Sequence, residues 1–308
     1  MLAPFPGAGE TRRTGVRRLP PCYPLAPVND AVTTLSEALE AAGSGLVLVI
    51  TGAGVSVASG IPTFRGDDPD AIWKRDVTEL GTYRYFRQDP VGSWSWYLSR
   101  FETVLTARPN AAHEALAGLE RWQLARGGDF LLVTQNIDTL HEDAGSKRLV
   151  KVHGSADRVR CARDGCRYGA PSGSLPRSEI DLDAFLRDPS AANLPRCPEC
   201  GDVLRQHVLW FDEYYQGHTD YQFGRVGEAL ERMALLLFVG TSFSVGVTEM
   251  ALRSAMLWKT PTFSVDPSST LASSRLTSLA VRSEELLPAV CQRLGAPTRG
   301  LDSAGLRP

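Results

Sequence analysis

Four cysteines occur in two close pairs whose spacing suits a metal ion. Cys161 and Cys166 are separated by four residues, Cys197 and Cys200 by two, and 30 residues lie between the pairs. Two short thiolate pairs can form a closed tetrahedral set around Zn²⁺, which leaves no position open for a substrate. We therefore predict a structural zinc site that folds its own segment. Disulfides are the alternative, and both the spacing and a reducing compartment disfavour them.

A candidate general base lies in the run 152–155. His153 is followed by a glycine, which can leave the ring open to a cleft, and an imidazole titrates near neutral pH. A structural role is the alternative for any single histidine.

Amide and carboxylate side chains are concentrated in the run Gln135-Asn136-Ile137-Asp138, directly after an apolar stretch. Such a cluster offers many hydrogen-bonding groups at one place. An Asx turn with a helix N-cap would explain Asp138 alone, but it would not explain the whole run.

A glycine-rich turn is a candidate phosphate site. Gly52, Ala53, Gly54 and Ser56 follow the apolar run 46–50, and glycines at a strand-to-helix turn let backbone N–H groups approach a pyrophosphate. No GxGxxG pattern is completed, so a plain tight turn is the alternative. Phe64 and Arg65 follow, and we predict that they form a lid, with the aromatic ring covering a ligand ring and the guanidinium holding a charge.

These side chains must be positioned by alternating strands and helices. Apolar runs typical of buried strands lie at 46–50, 130–134, 235–239 and 261–266, and helical stretches fall between them, as at 111–125 and 248–258. We predict the α/β class: a doubly wound, Rossmann-like parallel sheet with a small inserted zinc-ribbon module. In such sheets a ligand binds at the carboxyl ends of the strands.

Four segments follow from these patterns. We predict a disordered Pro/Arg-rich tail at 1–28 and a flexible C-terminal tail at 293–308. The Rossmann-like domain comprises 29–154 and 213–292, and the zinc module comprises 155–212.

Composition excludes several classes of function. The chain has 308 residues, with 33 Lys+Arg against 35 Asp+Glu and a net charge of −2, so direct nucleic-acid binding is not expected. No apolar run approaches the length of a membrane span, and the N-terminal segment lacks the apolar region of a secretory signal. We expect a cytoplasmic protein that does not bind membranes.

The motifs, taken together and in this order, resemble the sirtuin family of NAD-dependent protein lysine deacylases. The resemblance covers about residues 30–292 and rests on the cysteine pairs and five further runs: GAGVSVASGIPTFRG (52–66), TQNID (134–138), HGS (153–155), HVLWF (207–211) and GTS (240–242).

The resemblance implies roles for matching positions. His153 would be the general base, with Asn136 and Asp138 completing the catalytic set. The NAD site would be lined by Gly52, Ala53, Gly54, Ser56, Phe64, Arg65, Gln135, Asn136, Ile137, Asp138, Gly240, Thr241, Ser242 and Asp266. At the last of these positions relatives usually have asparagine, and a carboxylate also accepts from ribose hydroxyls.

The reaction is implied in the same way. The acyl-lysine oxygen attacks C1′ of the nicotinamide ribose as nicotinamide leaves. His153 deprotonates a ribose hydroxyl, which closes on the imidate, and water then releases lysine and O-acyl-ADP-ribose. The partners would be acylated-lysine proteins or peptides, bound along Val208, Trp210 and Phe211 by β-augmentation.

Two features bear on substrate choice. Tyr97 and Arg100 are three residues apart, share a helix face, and are similar to the Tyr/Arg pair of the desuccinylase and demalonylase branch. An ordinary surface helix is the alternative. Asp212 replaces the glycine that relatives usually have after Trp-Phe, so we expect altered peptide preference.

Other functions remain open at this point. A mono-ADP-ribosyltransferase or an NAD hydrolase could use the same fold, although His153 favours deacylation. A non-catalytic module that binds NAD or acyl-lysine is disfavoured by the intact QNID and HGS runs. A dehydrogenase is disfavoured by the incomplete GxGxxG pattern and by the zinc module.

Overall fold

The computed structural model describes residues 28–63, 77–243, 246–268 and 276–298, together with the residue pairs 17–18 and 271–272. The strands are β1 Arg17–Arg18, β2 Leu46–Thr51, β3 Asp129–Thr134, β4 Leu149–Lys151, β5 Gly154–Cys161, β6 Leu175–Pro176, β7 Leu204–Val208, β8 Met233–Val239, β9 Thr262–Val265, β10 Leu271–Ala272 and β11 Leu276–Leu279. The helices are α1 Val28–Ala41, α2 Val77–Leu80, α3 Tyr83–Gln88, α4 Pro90–Thr106, α5 Ala111–Ala125, α6 Leu140–Ala144, α7 Asp183–Arg187, α8 Phe223–Arg232, α9 Gly246–Trp258 and α10 Ser283–Leu294.

Six strands form one sheet in the order β11-β9-β8-β2-β3-β4, and every neighbouring pair is parallel. This confirms the predicted doubly wound α/β sheet. The four predicted strands correspond to β2, β3, β8 and β9 within two residues at each end. The edge strands β4 and β11 were missed, because runs of three or four residues give no clear periodicity.

Helices cover both faces of this sheet, and strand alternation divides the core between them. In β2, Val47 and Val49 pack with α1, α5 and α10, whereas Leu48 and Ile50 pack with α8 and α9. All six residues of β2 are buried, which accounts for its uninterrupted apolar run.

A smaller antiparallel sheet, in the order β6-β5-β7, carries the cysteine pairs. Its core includes helices α3 and α4 as well: the Trp94 indole of α4 donates to the Leu204 carbonyl of β7 at 2.8 Å, and Phe86 of α3 packs in the same cluster. The smaller unit therefore takes in 77–106 in addition to the predicted module 155–212. Sequence could not assign these helices, because their apolar faces do not identify the sheet they cover.

The predicted terminal tails lie largely outside the described residues. Arg17–Arg18, within the predicted N-terminal tail, pairs antiparallel with Leu271–Ala272. At the other end the predicted boundary at 293 comes too early: Thr298 is buried, and the Pro297 carbonyl accepts from Arg121 at 2.5 Å. In the part of the chain that the structure describes, no helix has both the length and the apolar character needed to cross a bilayer.

Candidate active site and metal centre

The carboxyl ends of β2 and β8 meet at the centre of the sheet, where the chain connections turn in opposite directions. Gly54 N–H donates to the Gly240 carbonyl at 2.9 Å, and a Cβ on Gly54 would lie only 2.6 Å from Gly240 Cα. Gly52 is equally restricted, because its Cβ would lie 2.8 Å from the same carbonyl oxygen. Glycine is therefore required for the two turns to meet, and the crevice beside them is the usual ligand position in such sheets.

Ser56 is the centre of a buried hydrogen-bond cluster in this crevice. It belongs to the 3-10 turn Ala53–Ser59 that follows β2. Its Oγ donates to Asp138 Oδ2 at 3.0 Å and accepts from Asn136 Nδ2 at 3.0 Å. His113 Nε2 lies 3.5 Å from the same oxygen. The cluster joins the glycine-rich turn, the end of β3 and helix α5.

The tautomer of His113 follows from its backbone contact. The Asn110 N–H donates to His113 Nδ1 at 3.3 Å, so Nδ1 is an acceptor and the ring proton is on Nε2. Burial lowers the pKa of His113 to about 4, which keeps the ring neutral near pH 7. His113 therefore donates to Ser56 without adding charge.

Gln135 and Asn136 tie β3 to the neighbouring strand ends. Gln135 Nε2 donates to the Thr51 carbonyl at 3.1 Å and to Thr241 Oγ1 at 3.4 Å, and Asn136 Nδ2 also donates to the Gly52 carbonyl at 3.2 Å. The amide run therefore lies over the β2–β8 junction, at the edge of the crevice.

The Asp138 carboxylate is buried but well supplied with donors. Burial raises its pKa, and the hydrogen bonds from the Leu140 N–H, at 3.1 Å, and from Ser56 oppose that rise. Lys151 approaches from β4, where Nζ donates to the Asp138 carbonyl at 2.6 Å and to Ser155 Oγ at 2.7 Å.

His153 follows β4 and turns toward the same crevice. Its Nδ1 lies 2.8 Å from the Gln135 carbonyl, which can only accept, so Nδ1 carries the ring proton and Nε2 is left as the acceptor. Burial lowers the pKa of His153 to about 4, and the bond to Gln135 opposes that shift. A neutral ring with an available Nε2 lone pair is what a general base requires.

The remaining predicted nucleotide contacts lie along the same edge. Thr241 and Ser242 follow β8, and Asp266 follows β9 with its carboxylate accepting from Ser268 N–H at 2.8 Å. Burial raises the pKa of Asp266. Ile137 lies one residue before Asp138, and its carbonyl accepts from Ala156 of β5 at 2.8 Å. Phe64 and Arg65 lie outside the described residues.

The predicted substrate residues lie in the smaller unit, and Tyr97, Val208 and Trp210 belong to its core. Val208 ends β7, Trp210 is buried, and the exposed Phe211 donates its N–H to the Gly81 carbonyl at 3.0 Å. Tyr97 of α4 is buried with its ring 6.2 Å from the Trp210 ring. Arg100 lies over the Trp96 ring and donates to its own helix.

Asp212 and Glu213 connect the segment after β7 to other parts of the smaller unit through different interactions. Helix α3 has Thr82 as its N-cap, and the Asp212 carboxylate accepts from the first two amides of the helix, Tyr83 N–H at 2.7 Å and Arg84 N–H at 3.0 Å. Glu213 lies between two arginines, with Arg205 donating to both of its oxygens at 2.6 and 2.8 Å and Arg160 at 2.8 Å. Burial raises the pKa of Glu213, but the bonds from Arg205, the charges of Arg205 and Arg160 and the Trp210 N–H together hold the pKa below its usual value.

The four paired cysteines converge at one end of the smaller sheet. All four Sγ atoms lie within 4.8 Å of one another, with 3.5 Å between Cys161 and Cys200 and 3.7 Å between Cys166 and Cys197. Tetrahedral zinc with Zn–S bonds of about 2.3 Å separates its sulfurs by about 3.8 Å. The set fits Zn²⁺, and all four thiols are free of disulfides.

A second group of three potential ligands lies on β7 and the turn after it. Asp220 Oδ2 is 3.2 Å from His207 Nε2 and 3.8 Å from His218 Nδ1. Burial lowers the pKa of both rings, to about 4 for His207, and the nearby Arg160 charge lowers them further. The same charge opposes a divalent cation, so we interpret this group as a polar link between β7 and the turn.

Three residues in contact with the site were missed by sequence reasoning. His113 lies 57 positions from Ser56, and Lys151 binds Asp138 from another strand. Tyr215 places its hydroxyl 3.4 Å from His153 Nε2. No local sequence pattern distinguished Lys151 or Tyr215 as residues of the site.

Fold and site together define a nucleotide-binding protein of the Rossmann-like class with a zinc-ribbon insertion. The Sir2 family model matches residues 52–247. An NAD-dependent protein deacylase of Thermus thermophilus is 40% identical over 200 residues, which cover 65% of this chain and 70% of that protein. The NAD-dependent protein deacylase of Mycolicibacterium paratuberculosis is 35% identical over 257 residues, covering 81% and 98%.

A solved structure described as a Sir2 homologue–NAD complex is also similar, with 31% identity and a TM-score of 0.69. The match covers 85% of this chain and 93% of that one. The chain belongs to the Sir2 family, which confirms the sirtuin resemblance seen in the motifs.

Proposed function

We propose that this protein is an NAD-dependent protein lysine deacylase that converts an acyl-lysine, NAD and water into lysine, nicotinamide and O-acyl-ADP-ribose. The observation that carries the proposal is the neutral His153, whose bond to the Gln135 carbonyl leaves Nε2 as the acceptor nitrogen, on the run that also supplies Asn136 and Asp138 to the Ser56 cluster. Relatives named as NAD-dependent protein deacylases support it.

The crevice fits a dinucleotide. Gly52, Gly54 and Gly240 would let the pyrophosphate approach the backbone, and Thr241 and Asp266 would meet ribose hydroxyls. When bound, NAD supplies an ADP-ribosyl group to the acyl oxygen. The donor-rich run after β3 would then orient the nicotinamide end, since its amides already lie over the β2–β8 junction.

The protein's own groups would hold and move protons during the reaction. His153 Nε2 would accept a proton from a ribose hydroxyl, while the Gln135 carbonyl keeps Nδ1 protonated and the ring in one tautomer. Ser56 would keep Asn136 and Asp138 in place, because its hydroxyl is bonded to both. Zinc would support the smaller sheet and take no part in the chemistry.

An acidic acyl group is the proposed preference. Tyr97 and Arg100 lie one turn apart on α4, and the Tyr97 ring packs against Trp210, next to the proposed peptide strand. An Arg100 guanidinium released from the Trp96 carbonyl, now 3.1 Å away, could pair with a succinyl or malonyl carboxylate. A cytoplasmic location is also proposed, since five described cysteines are free thiols.

The test is incubation of the purified protein with NAD and matched acetyl-, malonyl- and succinyl-lysine peptides, followed by mass spectrometry. We expect acyl transfer to ADP-ribose, and a loss of about 10²- to 10⁴-fold in His153→Ala. Consumption of NAD without release of lysine would instead favour a hydrolase or ADP-ribosyltransferase.

The acyl preference has its own variants. Arg100→Met should lower the succinyl-to-acetyl ratio of kcat/KM by about 10- to 100-fold, the worth of one charged hydrogen bond. The exposed Arg108→Met, just beyond α4, is the matched control. An unchanged succinyl-to-acetyl ratio in Arg100→Met would show that acyl selectivity does not depend on Tyr97 and Arg100.

A further inference from the structure

Tyr215 is packed directly against the proposed general base. Its ring lies 5.8 Å from the His153 ring at an interplanar angle of 16°, and its hydroxyl is 3.4 Å from Nε2. On its other side it stacks on Phe223 of α8, with 4.3 Å between centroids and an angle of 6°. The phenol is therefore held over the imidazole by an aromatic partner.

The donor and acceptor of each hydrogen bond made by His153 and Tyr215 follow from the groups at the two ends of the chain of bonds. The Gln135 carbonyl can only accept, so His153 Nδ1 carries the proton and the neutral ring accepts at Nε2. Tyr215 must then donate to Nε2. Its oxygen in turn accepts from the backbone N–H of Val247, in the first turn of α9.

Tyr215 remains a donor across the pH range in which the base works. Burial raises the pKa of its phenol, and the bond from Val247 opposes the rise without removing it. The result is a directed chain of donors that begins at the Val247 amide and ends at the Gln135 carbonyl. It passes through both polar atoms of the His153 ring.

We propose that Tyr215 is a positioning residue for His153, which hydrogen-bonds Nε2 in the substrate-free protein and releases it to a ribose hydroxyl when substrates bind. This proposal deepens the proposed function and rests on it. The separation of 3.4 Å is at the long end for an O–H donor, so the bond is easily exchanged for one to a substrate.

The proposal predicts a shift in the protonation of His153. A hydrogen bond that Nε2 can accept only when the ring is neutral stabilises the neutral form. Tyr215→Phe keeps the ring and its stacking but removes the donor, so the pKa of His153 in the free protein should rise. One hydrogen bond corresponds to a shift of about half to one pH unit.

Charged groups on the surrounding elements are bonded to other partners, so we do not attribute the expected change in the pKa of His153 to them. Asp138 accepts from Ser56 and Leu140, and Lys151 pairs with Glu142 at 2.9 Å. On α9 the ion pair is Glu249–Arg253 at the surface, and on α8 Arg225 donates to Gln222. In the described part of the chain, the titratable side chain bonded to the His153 ring is therefore Tyr215.

The first experiment needs no activity. Proton NMR follows the ring C–H signals of the five histidines during a pH titration, and His153→Ala identifies the signal of interest. Tyr215→Phe should move that midpoint upward by about half to one unit, whereas Tyr214→Phe, which changes an 80% exposed neighbour, should leave it unchanged. A midpoint unaffected by Tyr215→Phe would overturn the proposal even if the protein were a deacylase.

The second experiment uses the reaction. The acidic limb of kcat/KM reports the free enzyme, so Tyr215→Phe should shift it upward by the same amount. The plateau of kcat should stay within about threefold, because Nε2 is already bonded to substrate in the complex. A loss of kcat at every pH with an unshifted acidic limb would overturn the proposal, because Tyr215 would then contribute to the shape of the site without affecting the protonation of His153. Absence of deacylation in the wild type would refute the proposed function but leave the NMR result interpretable.

Discussion

Ser56→Ala tests the contribution of the buried hydrogen-bond cluster at the edge of the sheet. Ser56 is 1% exposed, and its hydroxyl serves Asp138, Asn136 and His113 at once. Alanine fits the same backbone, so the substitution removes the hydroxyl and little else. Asn136 would keep its bond to the Gly52 carbonyl, whereas among the described residues the Asp138 carboxylate would keep one donor, Leu140 N–H.

The expected loss of stability follows from these partners. A buried acceptor that loses its hydrogen bond costs about 1–3 kcal/mol, and more when the acceptor is charged. We therefore expect the free energy of unfolding to fall by about 2–3 kcal/mol at pH 7. The exposed Ser172→Ala should change it by less than about 0.5 kcal/mol.

The pH dependence has a definite sign. Burial already raises the pKa of Asp138, so the Asp138 carboxyl group binds a proton more tightly in the folded state than in the unfolded state. Loss of the Ser56 donor should raise that pKa further. The loss of unfolding free energy in Ser56→Ala should then be largest at neutral pH. It should shrink as the pH falls through the pKa of Asp138 in the folded protein.

Urea unfolding followed by circular dichroism, at pH 7 and at several acidic values, measures both quantities. A deficit below about 0.5 kcal/mol at pH 7 would refute the cluster. A deficit that is equal at every pH would refute the part of the reasoning that concerns the Asp138 charge.

Three further predictions concern the smaller sheet and its contacts. Cys197→Ser should lose bound zinc and the fold around it, measured by elemental analysis and circular dichroism, while Cys291→Ser should retain the metal. Asp212→Ala should lower the free energy of unfolding by about 1 kcal/mol, because the first two amides of α3 lose their acceptor, and Asp212→Asn should restore one of the two bonds and about half of the loss in urea titrations. Glu213→Gln should lower the free energy of unfolding by about 3 kcal/mol or more in the same assay, because the buried guanidinium groups of Arg160 and Arg205 lose their counter-charge. A smaller loss would mean that these ion pairs are exposed to solvent.

The elements with strong local patterns could be predicted from sequence. Helix α5 begins and ends at the predicted residues 111 and 125, and β2 extends the predicted run by one residue. Both signals depend only on apolar periodicity over a few turns or a short strand. By contrast, β4 and β11 are strands because neighbouring edges offer them hydrogen-bond partners, which no local pattern records.

The membership of the smaller unit could not be predicted in the same way. Helices α3 and α4 precede β3 in the chain, and sequence order assigned them to the larger domain. In the folded protein their aromatic side chains, among them Trp94, pack with β5 and β7 instead. Amphipathic helices specify a face to bury, and only the tertiary arrangement decides the surface that covers it.

Residue types alone determined which chemistry this protein could support: paired thiols for zinc, an imidazole for proton transfer, and amides and glycines for a nucleotide. Their order along the chain determined the resemblance to the Sir2 family. The tertiary structure decided which of these groups touch. Ser56 and Asp138 are 82 positions apart, and His153 and Tyr215 are 62 apart, yet both pairs are in hydrogen-bond contact. Such contacts arise because parallel strands bring distant turns to one edge of a sheet, a consequence of packing that local sequence does not encode.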